Sequence, residues 1–257
     1  MTSAVELGDT PSDALICGTA VTTIVPSSIS MKKHAATSRA TLRRRLSIIE
    51  RAAKHAGDTA VMTFIETVPE GDASGELTQM YETDREIFGH VPNLTRAFSH
   101  RPDVYAAWRQ LNGAIKANMD VRRYELATVA AARRLRSSYC TLAHGVVLMD
   151  RFVAPDELAA IVSDHHAAGL EPVDVAVMDL ADKVAQDATS VTQADIDALR
   201  SHGLSDADVF DVIAAAAARC FFSKVLDGLG VQADARYAEL DAPLRETLTV
   251  GRPIAGG

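Results

Sequence analysis

Cys140 and His144 stand four residues apart in the run Ser137-Ser138-Tyr139-Cys140-Thr141-Leu142-Ala143-His144. Residues at that spacing on a helix share one face, with Cβ atoms roughly 5 to 6 Å apart, so the run predicts a thiol beside an imidazole. An imidazole can accept the thiol proton, and the thiolate that results is the nucleophilic and redox-active form of cysteine. Ser137 or Ser138 is expected as the N-cap, which places Cys140 in the first turn, where unpaired backbone N–H groups favour an anion. Arg133, Arg134 and Arg136 are expected to add positive charge on the approach, and each of these influences pushes the thiol pKa down. The competing reading is a small core cysteine and a structural histidine, because Ala143, Val146, Val147 and Leu148 make the segment apolar.

Glu125 tips the balance toward chemistry. It opens the segment Tyr124 to Arg134, whose alanines predict a helix buried almost all round. Unbroken helix would separate Glu125 from Cys140 by about 22 Å, so contact between them requires the chain to break near Ser137. The whole pattern, Glu-x11-Ser-x2-Cys-x3-His, resembles the active-site signature of the AhpD-like family, which includes alkylhydroperoxidases and carboxymuconolactone decarboxylases. Peroxidase members carry Glu-x11-Cys-x-His-Cys-x3-His. The resemblance implies that Cys140 is the peroxide-reacting cysteine, that His144 activates it, and that Glu125 completes the relay through a water.

Two supporting positions depart from the family pattern. Ser137 stands where the resolving cysteine would be, and Tyr139 where the inner histidine would be. A serine cannot close a disulfide, so the two-cysteine cycle is excluded at this site, and a sulfenic acid on Cys140 needs an external thiol or another partner to restore it. The resemblance also takes in Gly89-His90-Val91-Pro92-Asn93-Leu94, Arg101-Pro102-Asp103, Trp108 and Gly230, and is greatest with the peroxidase-related branch. It implies an all-α, AhpD-like helical bundle that forms homo-oligomers. It further implies a thiol-dependent alkylhydroperoxidase-like antioxidant protein acting on a hydroperoxide or another small molecule, without a cofactor. Two alternatives stay open. One is a decarboxylase-like lyase or isomerase in which Glu125 and His144 move protons and Cys140 is a bystander; the other is a non-enzymatic oligomeric helical protein whose site has drifted.

Composition narrows the setting. The chain has 257 residues, 47% hydrophobic and 23% charged, which is ordinary for a globular protein with one good-sized core. Cys17, Cys140 and Cys220 form no CxxC pair and no even set, so neither a disulfide framework nor a zinc ribbon is expected, and a reducing cytoplasm is the expected compartment. The apolar stretch from Leu15 to Val25 is broken by Gly18 and threonines and lacks a basic lead, which fits neither a membrane span nor a signal peptide. Residues 32–55 hold eight basic residues against Glu50 alone, whereas residues 62–257 hold 18 basic against 29 acidic residues, a net of −11. The acidic body is not expected to bind nucleic acid; the basic segment reads as a solvated amphipathic helix from Ser38 to Ala56, ahead of the alternative of a weak electrostatic contact with nucleic acid or anionic lipid.

Residues 1–31 show no periodicity and are expected to be disordered. The family resemblance begins at Met62, a candidate start residue, with 1–61 as a low-order extension and 62–257 as the helical domain, its core about 74–241. Within it, apolar spacing and caps predict helices over 76–88, 104–117, 121–134, 138–152, 156–168, 173–188, 194–202 and 208–229. Ser74, Pro102, Pro155, Thr192 and Ser205 mark five of the starts, and the tail beyond Asp241 is expected to be loose. A shift of 83 residues places Glu125 on Asp208, Arg136 on Arg219, Ser137 on Cys220, Cys140 on Ser223 and His144 on Asp227, a decayed repeat that predicts a pseudo-two-fold domain with one working site. Cys220, beside Phe221 and Phe222, is expected to be structural. His165 and His166, read on the helix running to Ala168, would point about 100° apart, so no metal site is expected there.

Overall fold

The computed structural model describes residues 63–256, so the expectations for the N-terminal extension, its basic segment and Cys17 lie outside the described residues. Ten α-helices follow in order: α1 Glu76–Phe88, α2 Asn93–Ala97, α3 Pro102–Ala117, α4 Val121–Arg134, α5 Ser138–Arg151, α6 Pro155–Ser163, α7 Pro172–Asp187, α8 Gln193–Ser201, α9 Asp206–Gly228 and α10 Ala242–Leu248. Among the described residues the only β pairing is an isolated bridge between Ala233 and Ile254. The architecture is an all-α bundle, and no described helix is long and apolar enough to cross a membrane.

Local chemistry sets most of the helix starts. Proline opens α3, α6 and α7, where its missing N–H costs nothing. Reciprocal capping boxes, Thr192 with Asp195 and Ser205 with Asp208, open α8 and α9. At α1 the N-cap position is Gly75 rather than Ser74.

Helix α4 is the axis of the bundle. Every residue from Tyr124 to Ala132 is buried, and α4 packs against α5, α7 and α9. Its alanines let those neighbours approach closely, at little cost in side-chain entropy. This burial is complete within one chain, so the apolar girth of α4 is no argument for subunit contacts. Trp108 of α3 stacks on Phe222 of α9 with ring centroids 4.7 Å apart, and Phe98 stacks on the same ring at 5.6 Å.

Between α4 and α5 the chain breaks. Arg136 takes a left-handed backbone conformation at φ 56, the only non-glycine residue among those described to do so. The second repeat does not break: α9 runs unbroken from Asp206 to Gly228. That difference separates the first half from its copy, because Asp208 and Asp227, the counterparts of Glu125 and His144, are held about 28 Å apart along one helix.

The C-terminal segment is docked rather than loose. Leu244, Leu248 and Ile254 are buried, and the Ala255 N–H donates to the Ala233 carbonyl at 2.8 Å. The Gly251 N–H donates to Ser138 Oγ at 2.7 Å, pinning the start of α5. A side chain at Gly251 would put its Cβ 1.9 Å from the Arg136 carbonyl oxygen, so only glycine fits there. Helix α6 also ends at Ser163, five residues short of the expected Ala168, and the chain leaves it as a turn carrying His165 and His166.

Gly251→Ala is therefore expected to lower stability by about 1 to 3 kcal/mol in urea unfolding, through overpacking against the Arg136 carbonyl. Gly113→Ala, in open space on α3, is expected to raise it by about 0.5 to 1 kcal/mol. Equal effects from the two would contradict the docking of the tail.

Candidate active site

The break at Arg136 folds α5 back on α4, and Glu125 meets His144 directly: Nδ1 lies 2.5 Å from Oε2, where a bridging water was expected. The other carboxylate oxygen accepts from Lys116 Nζ at 2.9 Å. Glu125 is fully buried, and His144 and Lys116 nearly so. A buried carboxylate is tolerable only when it is paired and hydrogen-bonded, and both oxygens are. Burial alone would raise the Glu125 pKa, but His144 and Lys116 outweigh it and hold the carboxyl below its ordinary value.

His144 is governed by the opposite balance. Burial, reinforced by the Arg219 charge, holds its pKa down at about 4 against the pull of Glu125. At neutral pH the imidazole is therefore uncharged. A carboxylate only accepts, so Nδ1 carries the proton and Nε2 is left as a base.

Cys140 occupies the first turn of α5, buried to 2% exposure. Ser137 holds the N-cap position, but its side chain makes no capping hydrogen bond; the Ser138 hydroxyl serves the tail instead. The sulfur takes its hydrogen bonds from the second repeat. Ser223 Oγ donates to Sγ at 3.2 Å and Arg219 Nη1 at 3.6 Å. Cys140 and Ser223 are counterparts under the 83-residue shift and touch one another. Arg219 is held by cation–π contacts with Trp108 and Phe222, each at 5.6 Å, and its Nη2 donates to the Tyr124 hydroxyl at 3.4 Å.

Several expectations need correction. Arg133 donates to the Ser163 carbonyl, Arg134 pairs with Asp182, and Arg136 reaches the Val250 carbonyl. None of the three is bonded to Cys140: Arg133 and Arg134 leave α4 for partners on α6 and α7, and Arg136, at the break, is exposed; Arg219 supplies the positive charge. Cys140 and His144 share a face but make no hydrogen bond with each other. Tyr139 is buried away from the sulfur, its hydroxyl donating to Asp234 and accepting from the Leu94 N–H at 3.2 Å. Ser137 is fully buried and lies beside Asp227, whose carboxyl is raised by burial. Cys220 is half-buried, and burial raises its thiol pKa; Phe222 is core, whereas Phe221 is 45% exposed.

Sequence reasoning missed Lys116, Arg219 and Ser223. The last two occupy the repeat positions of Arg136 and Cys140, so the signal was present in the duplication. Lys116 lies one helical turn from the buried Asn112 and two from Trp108, a cation on an otherwise buried face.

No protein-family model matches the chain, and no curated protein matches it significantly. Solved structures do. The AhpD core of an uncharacterized peroxidase-related protein from Ralstonia eutropha JMP134 superposes with a TM-score of 0.62 at 22% identity, over 74% of this chain and 98% of that one. A peroxidase-related protein from Silicibacter sp. TM1040 gives 0.63 at 21%, over 72% and 97%. A variant of the debrominase Bmp8 in complex with 2,3,4-tribromopyrrole gives 0.56 at 15%, over 75% and 97%. At these identities the likeness is one of fold, and the fold is AhpD-like.

Two measurements test the electrostatics. Lys116→Met leaves a buried carboxylate without its cation and is expected to cost about 3 to 5 kcal/mol. Unfolded His144 titrates near 6.5 and folded His144 at about 4, so between those values only the unfolded chain takes up the proton. The stabilisation is fully present above pH 6.5 and is lost as the pH falls toward 4, by roughly 3 kcal/mol. Urea unfolding at pH 7 and pH 4.5 is expected to show a larger loss for wild type than for His144→Gln; equal losses would remove His144 from the account.

Proposed function

We propose that the protein is a thiol-dependent hydroperoxidase of the AhpD-like type, with Cys140 as nucleophile and His144 as proton carrier. The observation that carries this reading is the convergence of a buried, carboxylate-held neutral imidazole and an Arg219-bound sulfur on one helical turn. Arg219 and Ser223 donate to Sγ and so are placed to stabilise negative charge that develops there. The thiol proton passes to His144 Nε2 through an intervening water, and Glu125 stabilises the imidazolium that forms. The thiolate attacks the distal oxygen of R–O–O–H, the O–O bond breaks, and sulfur becomes a sulfenic acid. The alkoxide leaves with the proton from His144. An external thiol then condenses with the sulfenic acid, releasing water, and a second thiol reduces the mixed disulfide, restoring Cys140.

Intact-mass spectrometry after one equivalent of cumene hydroperoxide, with a sulfenic-acid trap, is the direct test. Wild type is expected to gain one trap adduct on Cys140 and to consume peroxide with a small monothiol, whereas Cys140→Ser is expected to do neither. If wild type gains no adduct yet debrominates 2,3,4-tribromopyrrole, the ligand of the Bmp8 complex, the nucleophile assignment stands and the peroxide assignment falls.

Two variants refine the test. Arg219→Met is expected to slow alkylation of Cys140 by iodoacetamide at pH 7 at least tenfold, since it removes the cation beside the sulfur; an unchanged rate would make Arg219 purely structural. Ser137→Cys puts a thiol one turn before Cys140 and is expected to form a disulfide with it on oxidation and to turn over with a dithiol. Failure of that variant to oxidise beyond the sulfenic acid would show that the N-cap position cannot reach the sulfur.

A further inference from the structure

The turn after α6 brings together a second set of reactive side chains. Because α6 ends at Ser163, His165 and His166 are not on a helix, and the argument that adjacent residues diverge no longer applies to them. Their rings lie 4.3 Å apart, tilted by 31°. Both Nε2 atoms face the same carboxylate oxygen, Asp179 Oδ1 of α7, at 2.8 Å from His165 and 2.9 Å from His166.

The ligand-type atoms of His165, His166 and Asp179 all lie within 4.8 Å of one another. We propose that these three residues bind a divalent transition-metal ion of the zinc type, a site independent of the proposed reaction. Zinc lies about 2.0 to 2.2 Å from imidazole nitrogen and carboxylate oxygen. Each imidazole nitrogen, 2.8 to 2.9 Å from Asp179 Oδ1, then subtends about 90° with that oxygen at the ion, and the remaining positions are left to water. Two imidazoles and one carboxylate suit zinc, nickel or copper far better than calcium or magnesium, which take oxygen ligands.

Two further features fit a metal rather than a simple ion pair. His166 turns its other ring nitrogen toward Asp164 Oδ1 at 3.6 Å, and Asp164 is itself held by the His166 backbone N–H at 3.1 Å. A carboxylate behind a ligating histidine favours the tautomer that leaves Nε2 free to bind once the two close to hydrogen-bond distance. Exposure is also graded: His165 is buried, whereas the side chains of His166 and Asp179 are 58% and 49% exposed. One ligand is anchored and two line an entry from solvent. A bound ion would tie the end of α6 to α7, the helix packed against α4.

Isothermal titration of untagged full-length protein with zinc chloride tests the proposal. Wild type is expected to bind one ion and to melt at higher temperature with zinc than with a chelator. His166→Ala and Asp179→Asn are each expected to weaken binding at least tenfold and to abolish the melting shift, and cobalt substitution in wild type is expected to give visible d–d bands that both variants lose. Asp164→Asn is expected to weaken binding about tenfold with the ligands intact. Cys140→Ser controls for zinc held by the thiolate and is expected to bind zinc as wild type does. Binding that survives His166→Ala and Asp179→Asn, that disappears in Cys140→Ser, or that is absent from wild type at micromolar zinc would overturn it.

Discussion

A carboxylate with no access to water, Glu125, sits on the helix around which the rest of the bundle is packed. Its burial is tolerable only if its charge is matched where it stands, and the surrounding chain is arranged to do that. Lys116 comes from the end of α3, one short turn upstream, and its ammonium takes one oxygen. The other oxygen takes the imidazole of His144, which can arrive only because the chain reverses between α4 and α5. The reversal costs a left-handed residue at Arg136, a conformation that L side chains rarely adopt. The docked tail, through Gly251 and Ser138, holds that turn in place.

The same arrangement fixes the chemistry available to the histidine. Burial and the Arg219 charge keep the imidazole neutral, while the carboxylate fixes its tautomer and stands ready to stabilise an imidazolium. A solvent-exposed histidine at the same sequence position would have neither property, because water would screen Glu125 and either nitrogen could carry the proton.

Duplication contributes in a less obvious way. The second repeat has lost the residues that define the first, with Asp208, Ser223 and Asp227 in place of Glu125, Cys140 and His144, and its helix runs straight through the position of the break. Yet Arg219 and Ser223 supply the donors around the sulfur. The second copy is thus part of the candidate site through Arg219 and Ser223, which face the cysteine of the first.

The sequence by itself determined the all-α class, most helix limits and the 83-residue repeat, because amphipathic period, proline and capping residues act over a few positions; the pairing of Glu125 with His144 was legible only through the family resemblance. It also determined that a break near Ser137 was needed for Glu125 to reach the later residues. Only the tertiary structure decided which cation faces the sulfur, since Arg136 and Arg219 look equivalent in a linear pattern and differ only in which way a broken or continuous helix turns them. It likewise decided that Lys116 completes the carboxylate pair, that the glycine-rich tail is docked, and that His165 and His166 converge on Asp179. Each of these depends on contacts between residues distant in sequence, where packing and charge pairing outweigh the local propensities that a sequence displays.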